Sequence, residues 1–404
     1  MSDRALGPEI STLRGSVGEV FAAFLKLGLT SFGGPIAHLG YFRDELVVRR
    51  RWLDDHAYAD LVALCQFLPG PASSQVGLAL GLQRAGYRGA LAAWCGFTLP
   101  SAILLILFAI GLVEFGERLP GGLIAGLKIV AVAVVAQAVW GMAKSLCPDW
   151  PRRVLALAAA AFLLALPSAW SQIGVIVVGG LIGLSLKQSG VAAPGEALAA
   201  GIGRRAASVW LLLFFLGLAG LPLLAQAFPG QALAMVDAFY RAGALVFGGG
   251  HVVLPLLQAE TVAPGWIGSE TFLAGYGAAQ AVPGPLFTFA AFLGAAGNLA
   301  PNGWGGGLLA LLAIFLPAFL LVAGALPFWD ALRTNQRARV ALAGVNAVVV
   351  GILLAALYDP VWTSAIHGPL ELLLAALAFA ALMFGKQAPW RVVAGCALAG
   401  ALLL

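Results

Sequence analysis

Charge is what this sequence has least of. Asp, Glu, Lys and Arg make up 10% of its 404 residues, whereas 61% are hydrophobic. A soluble domain of this size needs far more charge to cover its surface, so that class is set aside. Histidine is scarce as well, with four residues and no H-x-x-x-H spacing, which argues against a metal centre. The four cysteines, Cys65, Cys95, Cys147 and Cys396, are scattered and form no C-x-x-C pair, so neither a disulfide framework nor a zinc site is expected. There is no Walker A loop, no H-E-x-x-H and no G-x-S-x-G set on a strand–turn–helix. Enzymatic chemistry, transport driven by the chain's own nucleotide hydrolysis, and a cofactor are therefore not expected. A cleavable leader is missing too. The first fifteen residues are polar, with Arg4 and Arg14, and the apolar stretch from Val17 has no small-residue cleavage site, so that stretch should be retained.

What fills the chain instead is apolar sequence, with a mean hydropathy of +0.94. Runs such as Ala90–Val113 and Gly122–Ala143 are long enough to cross a bilayer. The expectation is an all-α, polytopic transmembrane protein whose main partner is the lipid bilayer. Its net charge of +5 reports on loops and anionic lipid, and nucleic acid is not implied. With 52 Gly and 22 Pro, the helices should be closely packed and often interrupted. Gly-rich faces suit a homodimer and internal packing equally, and both stay open.

The chain repeats itself. Phe24-Leu-Lys26-Leu-Gly28 leads into Phe32-Gly33-Gly34, and Phe239-Tyr-Arg241-Ala-Gly243 leads into Phe247-Gly248-Gly249 with identical spacing. Trp52 precedes Gln66-Phe-Leu-Pro69-Gly70-Pro71, as Trp266 precedes Gln280-Ala-Val-Pro283-Gly284-Pro285. Phe97-Thr-Leu-Pro100 is echoed by Phe315-Leu-Pro317, and Gly126-Leu-Lys128 by Gly344-Val-Asn346. Chance would not keep these landmarks in one order and nearly one register, so the pattern reads as a duplication.

About 13 spans are expected: 17–33, 71–86, 89–113, 121–146, 152–167 and 170–187 in the first half, and 234–249, 285–300, 305–327, 339–357, 368–384 and 390–404 in the second. One unpartnered span near 207–227 joins them. The organisation is thus an N-terminal repeat over 1–190, a linker with one extra span over 191–230, and a C-terminal repeat over 231–404. Six spans, then one, start the second half from the opposite side, which gives two homologous halves in inverted topology. The short pieces 53–68 and 267–282 should end at the Pro-Gly-Pro turns without crossing. Loop charge agrees: Arg84, Arg88, Lys144, Arg152, Arg153, Lys187, Arg204, Arg205, Arg333, Arg337, Arg339, Lys386 and Arg391 fall inside, while 297–306 and 358–367 carry no Lys or Arg. Arg43, Arg49, Arg50 and Arg51 fall outside on this count. Either a span is miscounted or re-entrant there, or the cluster is an anion-collecting mouth.

Candidate site residues follow from what a membrane interior tolerates. Lys26 and Arg241 hold matching places in apolar spans, and such cations face a cavity or a partner. Substrate binding competes with snorkelling and with an internal pair such as Asp237 with Arg241. Gly33-Gly34-Pro35 and Gly248-Gly249-Gly250 interrupt helices, and freed backbone N–H groups at such breaks can hold an anion. His38 and His251 follow them, although not at matching repeat positions. Pro69-Gly70-Pro71 and Pro283-Gly284-Pro285 cannot continue a helix and should each make a broken span. Gln66, Ser73, Ser74 and Gln75 surround the first turn; Gln280 and Thr288 surround the second, with Leu286, Phe287 and Phe289. Lys128 is a further buried cation. Glu45, Asp54, Asp55, Asp60 and Glu260 lie near membrane ends, where solvation is the expected role.

These residues resemble the paired signatures of the chromate ion transporter (CHR) family, long-chain type. The resemblance rests on Phe32-Gly-Gly-Pro-Ile-Ala-His38, on Gln66-Phe-Leu-Pro-Gly-Pro71 with Ser74-Gln75, and on Phe247-Gly-Gly-Gly-His251 with Val282-Pro-Gly-Pro285. It extends over roughly 17–357. It implies a secondary carrier in the cell inner (plasma) membrane, with chromate efflux that confers resistance, and a link to sulfate, a dianion of the same tetrahedral shape. A sulfate or other oxyanion carrier that takes chromate as an analogue is the alternative within transport. A membrane-embedded enzyme or lipid-handling scaffold is the alternative outside it.

Overall fold

The computed structural model describes residues 15–118, 120–185 and 202–404. Arg4, Arg14, Lys187, the end of the 170–187 span and the 190/191 boundary lie outside the described residues, as does the side chain of Arg333. Every regular element among the described residues is helical. In order these are α1 (Val17–Thr30), α2 (Gly34–Phe42), α3 (Asp55–Phe67), α4 (Ala72–Phe115), α5 (Gly121–Leu146), α6 (Trp150–Ala165), α7 (Ala169–Gly183) and α8 (Arg204–Ala227). Then come α9 (Gln231–Leu245), α10 (Val253–Thr261), α11 (Ser269–Ala279), α12 (Phe289–Ala295), α13 (Gly303–Ala325), α14 (Trp329–Thr334), α15 (Gln336–Ala356), α16 (Pro369–Met383) and α17 (Pro389–Leu403).

Among the described residues, 5 helices are long and apolar enough to cross a membrane: α4, α5, α8, and α13 and α15 with the short turns that extend them. The other apolar segments are shorter. α1 has 14 residues, α6 has 16, and α7, α9, α16 and α17 have 15 each. At 1.5 Å per residue such helices reach about 21–24 Å, less than a hydrocarbon core of about 30 Å. The expected span 285–300 is helical only from Leu286, through a 3-10 turn, to Ala295. α4 changes direction at Ala85 and Gly86, whose backbones are non-helical, so a short arm (72–84) is followed by a long arm (87–115).

The first helix pair returns to its own side. Gly33 (φ 97°) and Gly34 (φ 79°) adopt the left-handed region and turn α1 into α2, which runs on as a π-helical segment over Arg43–Arg49. The Trp52 indole N–H then donates to Glu19 at 3.1 Å, and the Gly15 amide donates to the Arg84 carbonyl at 3.1 Å. The guanidinium groups of Arg84 and Arg50 lie over the Trp52 ring, 5.3 and 5.8 Å from its centroid. Arg50 thus sits at the same end of the molecule as Arg84 and the start of α1. For the cluster Arg43, Arg49, Arg50 and Arg51 this return favours the re-entrant alternative over an outside mouth, a choice hydropathy does not make because it carries no information about direction.

The two halves are interlocked. The α6–α7 hairpin packs on α15, while the α16–α17 hairpin packs on α5. Glycine permits both contacts: a Cβ on Gly126 would run into the Cys396 carbonyl, and one on Gly344 into the Gly179 carbonyl. α8 lies at the periphery against α9 and α13, with Leu212, Phe215, Leu216 and Leu223 exposed. The largest apolar cluster joins the long arm of α4 and α5 to α9–α13 and α15, so the core belongs to both halves.

Candidate functional site

Four interruptions meet at the centre. The Gly70 amide donates to the Val246 carbonyl at 2.7 Å, and the Gly284 amide donates to the Ser31 carbonyl at 2.9 Å. Val246 directly precedes the Phe247-Gly-Gly break, and Ser31 directly precedes Phe32-Gly-Gly. Each Pro-Gly-Pro turn therefore closes the orphan carbonyl of the opposite half's helix break. Both turn glycines require the left-handed region, with φ of 120° at Gly70 and 101° at Gly284. The breaks also touch each other, since a Cβ on Gly250 would stand 3.1 Å from Pro35 Cγ.

Side chains from several elements converge on this crossing. His38 on α2 is fully buried, its Nδ1 3.4 Å from Ser73 Oγ and its ring edge-on to Phe97. His251 places Nδ1 2.8 Å from the Tyr276 hydroxyl. The Gln75 amide donates to the Pro69 carbonyl at 2.7 Å, and the Thr288 hydroxyl donates to the Pro285 carbonyl at 2.8 Å. Ser31 Oγ, His38 Nε2, Ser74 Oγ, Gln75 Oε1, Thr98 Oγ1 and Gln280 Nε2 are buried with no hydrogen-bond partner among the described residues. Buried polar atoms are ordinarily satisfied, so such a concentration marks a place prepared for something polar.

The crossing thus brings together Gly33, Gly34, Pro35, His38, Pro69, Gly70, Pro71, Ser73, Ser74, Gln75, Gly248, Gly249, Gly250, His251, Gln280, Pro283, Gly284, Pro285 and Thr288. Phe32 is half-buried beside its break, and Gln66 is exposed, unlike Gln280. Sequence reasoning missed Ser31, Thr98, Tyr276 and Ser101, whose Oγ would stand 2.8 Å from a Cβ on Gly284. The Phe97-Thr-Leu-Pro100 echo was a signal for Thr98 and Ser101, whereas nothing in the pattern pointed to Tyr276.

The three candidate cations stand apart from this group, each beside a carboxylate. Lys26 Nζ lies 2.6 Å from Glu45, which also accepts from Arg49 at 3.1 Å and Arg50 at 2.9 Å. Arg241 holds Glu260 through two hydrogen bonds of 2.9 and 2.8 Å and lies 3.1 Å from Asp237. The two pairs share one sequence separation, 19 residues. In each half a cation on the first helix clamps the returning segment. The solvated role expected of Glu45 and Glu260 is corrected: their side chains are only 9% and 14% exposed. Burial alone would raise the Glu45 pKa, but hydrogen bonds from Lys26 and Arg50 outweigh it and hold the carboxyl below its ordinary value. Lys128 on α5 donates to Glu270 on α11 at 2.9 Å, a bond between the halves.

The model of a family described as Chromate transporter matches residues 18–184 and 233–401. A Chromate transport protein of Pseudomonas aeruginosa is 30% identical over 351 residues, covering 84% of this chain and 80% of that protein. A Probable chromate transport protein of Synechococcus elongatus is 28% identical, with 82% and 81% covered. A Chromate transport protein of Cupriavidus metallidurans is 26% identical, with 93% and 90% covered. No solved structure matches the chain.

Proposed function

The chain belongs to the chromate transporter family, and from that premise we propose a secondary carrier that exports chromate, or a related tetrahedral oxyanion, by alternating access. It is a multi-pass membrane transporter, and its proposed seat is the inner (plasma) membrane. The observation that carries the reading is the central crossing. Two reciprocal backbone hydrogen bonds gather four helix interruptions, and unpaired hydroxyl, imidazole and amide groups surround them. Interrupted helices at a repeat interface are where secondary carriers bind ions, and backbone donors suit an anion. Lys26 and Arg241, already matched by carboxylates, are assigned to holding the re-entrant segments in place rather than to neutralising the substrate.

The proposed repeats are 1–190 and 231–404, joined by 191–230. The inverted arrangement keeps its parity with fewer crossings: two long helices in each half, plus α8, still start the second half from the opposite side. The moving bodies, however, would not be the two halves, because each terminal hairpin is packed on the other half.

Flux of radioactive chromate into inside-out proteoliposomes tests the assignment. Ser74→Ala and Gln75→Ala should raise KM about 5- to 10-fold, the worth of one hydrogen bond in a site. Lys26→Ala should leave it within about twofold. The reverse ranking would move the site from the crossing to the cations. A sulfate carrier that accepts chromate as an analogue remains a second reading, favoured by the neutral donors, which do not distinguish one tetrahedral dianion from another. Competition between the two anions at equal concentration separates these readings.

A further inference from the structure

The halves repeat in sequence but not in how they close. Trp52 and Gln66 match Trp266 and Gln280 at an offset of 214, which pairs His56, Ala59, Ala63 and Gln66 on α3 with Glu270, Leu273 and Gly277 on α11 and Gln280 at its C-cap. Gly126 and Gly344 match at an offset of 218, which pairs Leu127 and Lys128 on α5 with Val345 and Asn346 on α15.

In the second half this stripe is docked. α11 packs on α5, Leu273 and Gly277 are buried, and a Cβ on Gly277 would run into the Leu127 carbonyl. Lys128 Nζ reaches Glu270 across the same contact. In the first half the stripe is free. His56, Ala59, Ala63 and Gln66 are all exposed, and α3 has no comparable packing on α15. Asn346, the counterpart of Lys128, keeps a buried Oδ1 with no partner. The undocked stripe lies at the end that holds Arg50 and Arg84, the arginine-rich side.

We infer that these two contacts are alternative gates, and that the structure has one of them shut. α11 is closed on α5 through Lys128–Glu270, while α3 stands away from α15. In the opposite state α3 lays His56, Ala59, Ala63 and Gln66 on α15, His56 reaches Asn346, and α11 releases Lys128. The occupant of the exposed stripe is thus a named helix of the same chain. In a carrier built as an inverted repeat, exchange of the two halves' arrangements supplies the opposite-facing state. Ala63 in place of Gly277 adds a methyl group, so the second closure should be the looser one. The inference rests on the proposed alternating-access carrier.

Two double-cysteine proteins test it, Lys128→Cys/Glu270→Cys and His56→Cys/Asn346→Cys, each treated in membranes with a bifunctional maleimide. Both pairs should cross-link, each cross-link should abolish oxyanion flux, and chromate or sulfate should shift the two yields in opposite directions. Glu270→Gln, combined with the His56→Cys/Asn346→Cys pair, should raise that pair's yield about two- to fivefold, as loss of an ion pair whose carboxylate is 78% exposed would. If the 56/346 pair never cross-links while flux is retained, the gate is wrong and the carrier stands. If the uncross-linked protein moves no oxyanion, the carrier reading fails first and the gate falls with it. If the double-cysteine proteins do not fold, His56→Cys with and without Glu270→Gln decides: unchanged alkylation at position 56, measured over the background of the four native cysteines, would overturn the exchange.

Discussion

Arg241 and Lys26 are repeat counterparts with different neighbours, and the difference sets what each removal costs. Arg241→Ala would leave Asp237 and Glu260 buried without a cation, a loss of about 3–5 kcal/mol. Lys26 is half-exposed and Glu45 keeps Arg49 and Arg50, so Lys26→Ala should cost about 1 kcal/mol or less. Thermal melts in detergent followed by size-exclusion should rank them in that order. Glu45 also makes stability depend on pH. Its folded pKa lies below the ordinary 4.5, so its contribution is complete above that value and is lost as pH falls through the folded pKa. The melting difference between wild type and Glu45→Gln should therefore shrink on acidification below about pH 4.5. At the crossing, Gly70→Ala and Gly284→Ala would each force a side chain into the left-handed region, at about 1–3 kcal/mol. Both should lose flux more than fold, because they disturb the bonds to Val246 and Ser31. Most of these residues were legible in the sequence, since Gly-Gly and Pro-Gly-Pro are strong punctuation. Asp237 was legible as a partner of Arg241 one helical turn away, whereas Glu45 and Glu260 were not, because a 19-residue separation has no helical periodicity to reveal it.

Helix positions were equally legible and helix reach was not. The apolar run that predicted 207–227 became α8, and the short pieces 53–68 and 267–282 became α3 and α11. The return of α2 beside α1 stayed one of two alternatives in the sequence, because an apolar segment reads the same whether it crosses or doubles back. Packing of the terminal hairpins depends on small residues in both partners. Gly126→Leu should detach α17 from α5, and Gly344→Leu should detach α7 from α15. Greater protease sensitivity of the displaced hairpin, with the remaining helices still protected, is the expected result for each. Equal destabilisation of the whole chain would instead mean that the hairpins are not separable elements.

Taken whole, the molecule is two halves that complete each other. A chain cut between residues 185 and 202 should recover flux when both pieces are made in one cell, and show none when either is made alone. Recovery by a single piece would contradict the interlocked packing. The sequence carried the duplication through matched landmarks, but which half covers which helix depends on contacts between residues some 200 apart, and local pattern holds no trace of them. The same interlocking has a cost in time during synthesis. Gly126 meets Cys396, 270 residues later by subtraction, so at 5–20 residues per second that face of α5 waits roughly 15 to 50 s for its cover. Until α17 leaves the ribosome, lipid or the insertion machinery must occupy the gap, and a chain stalled before α17 would present membrane proteases with a glycine-lined groove.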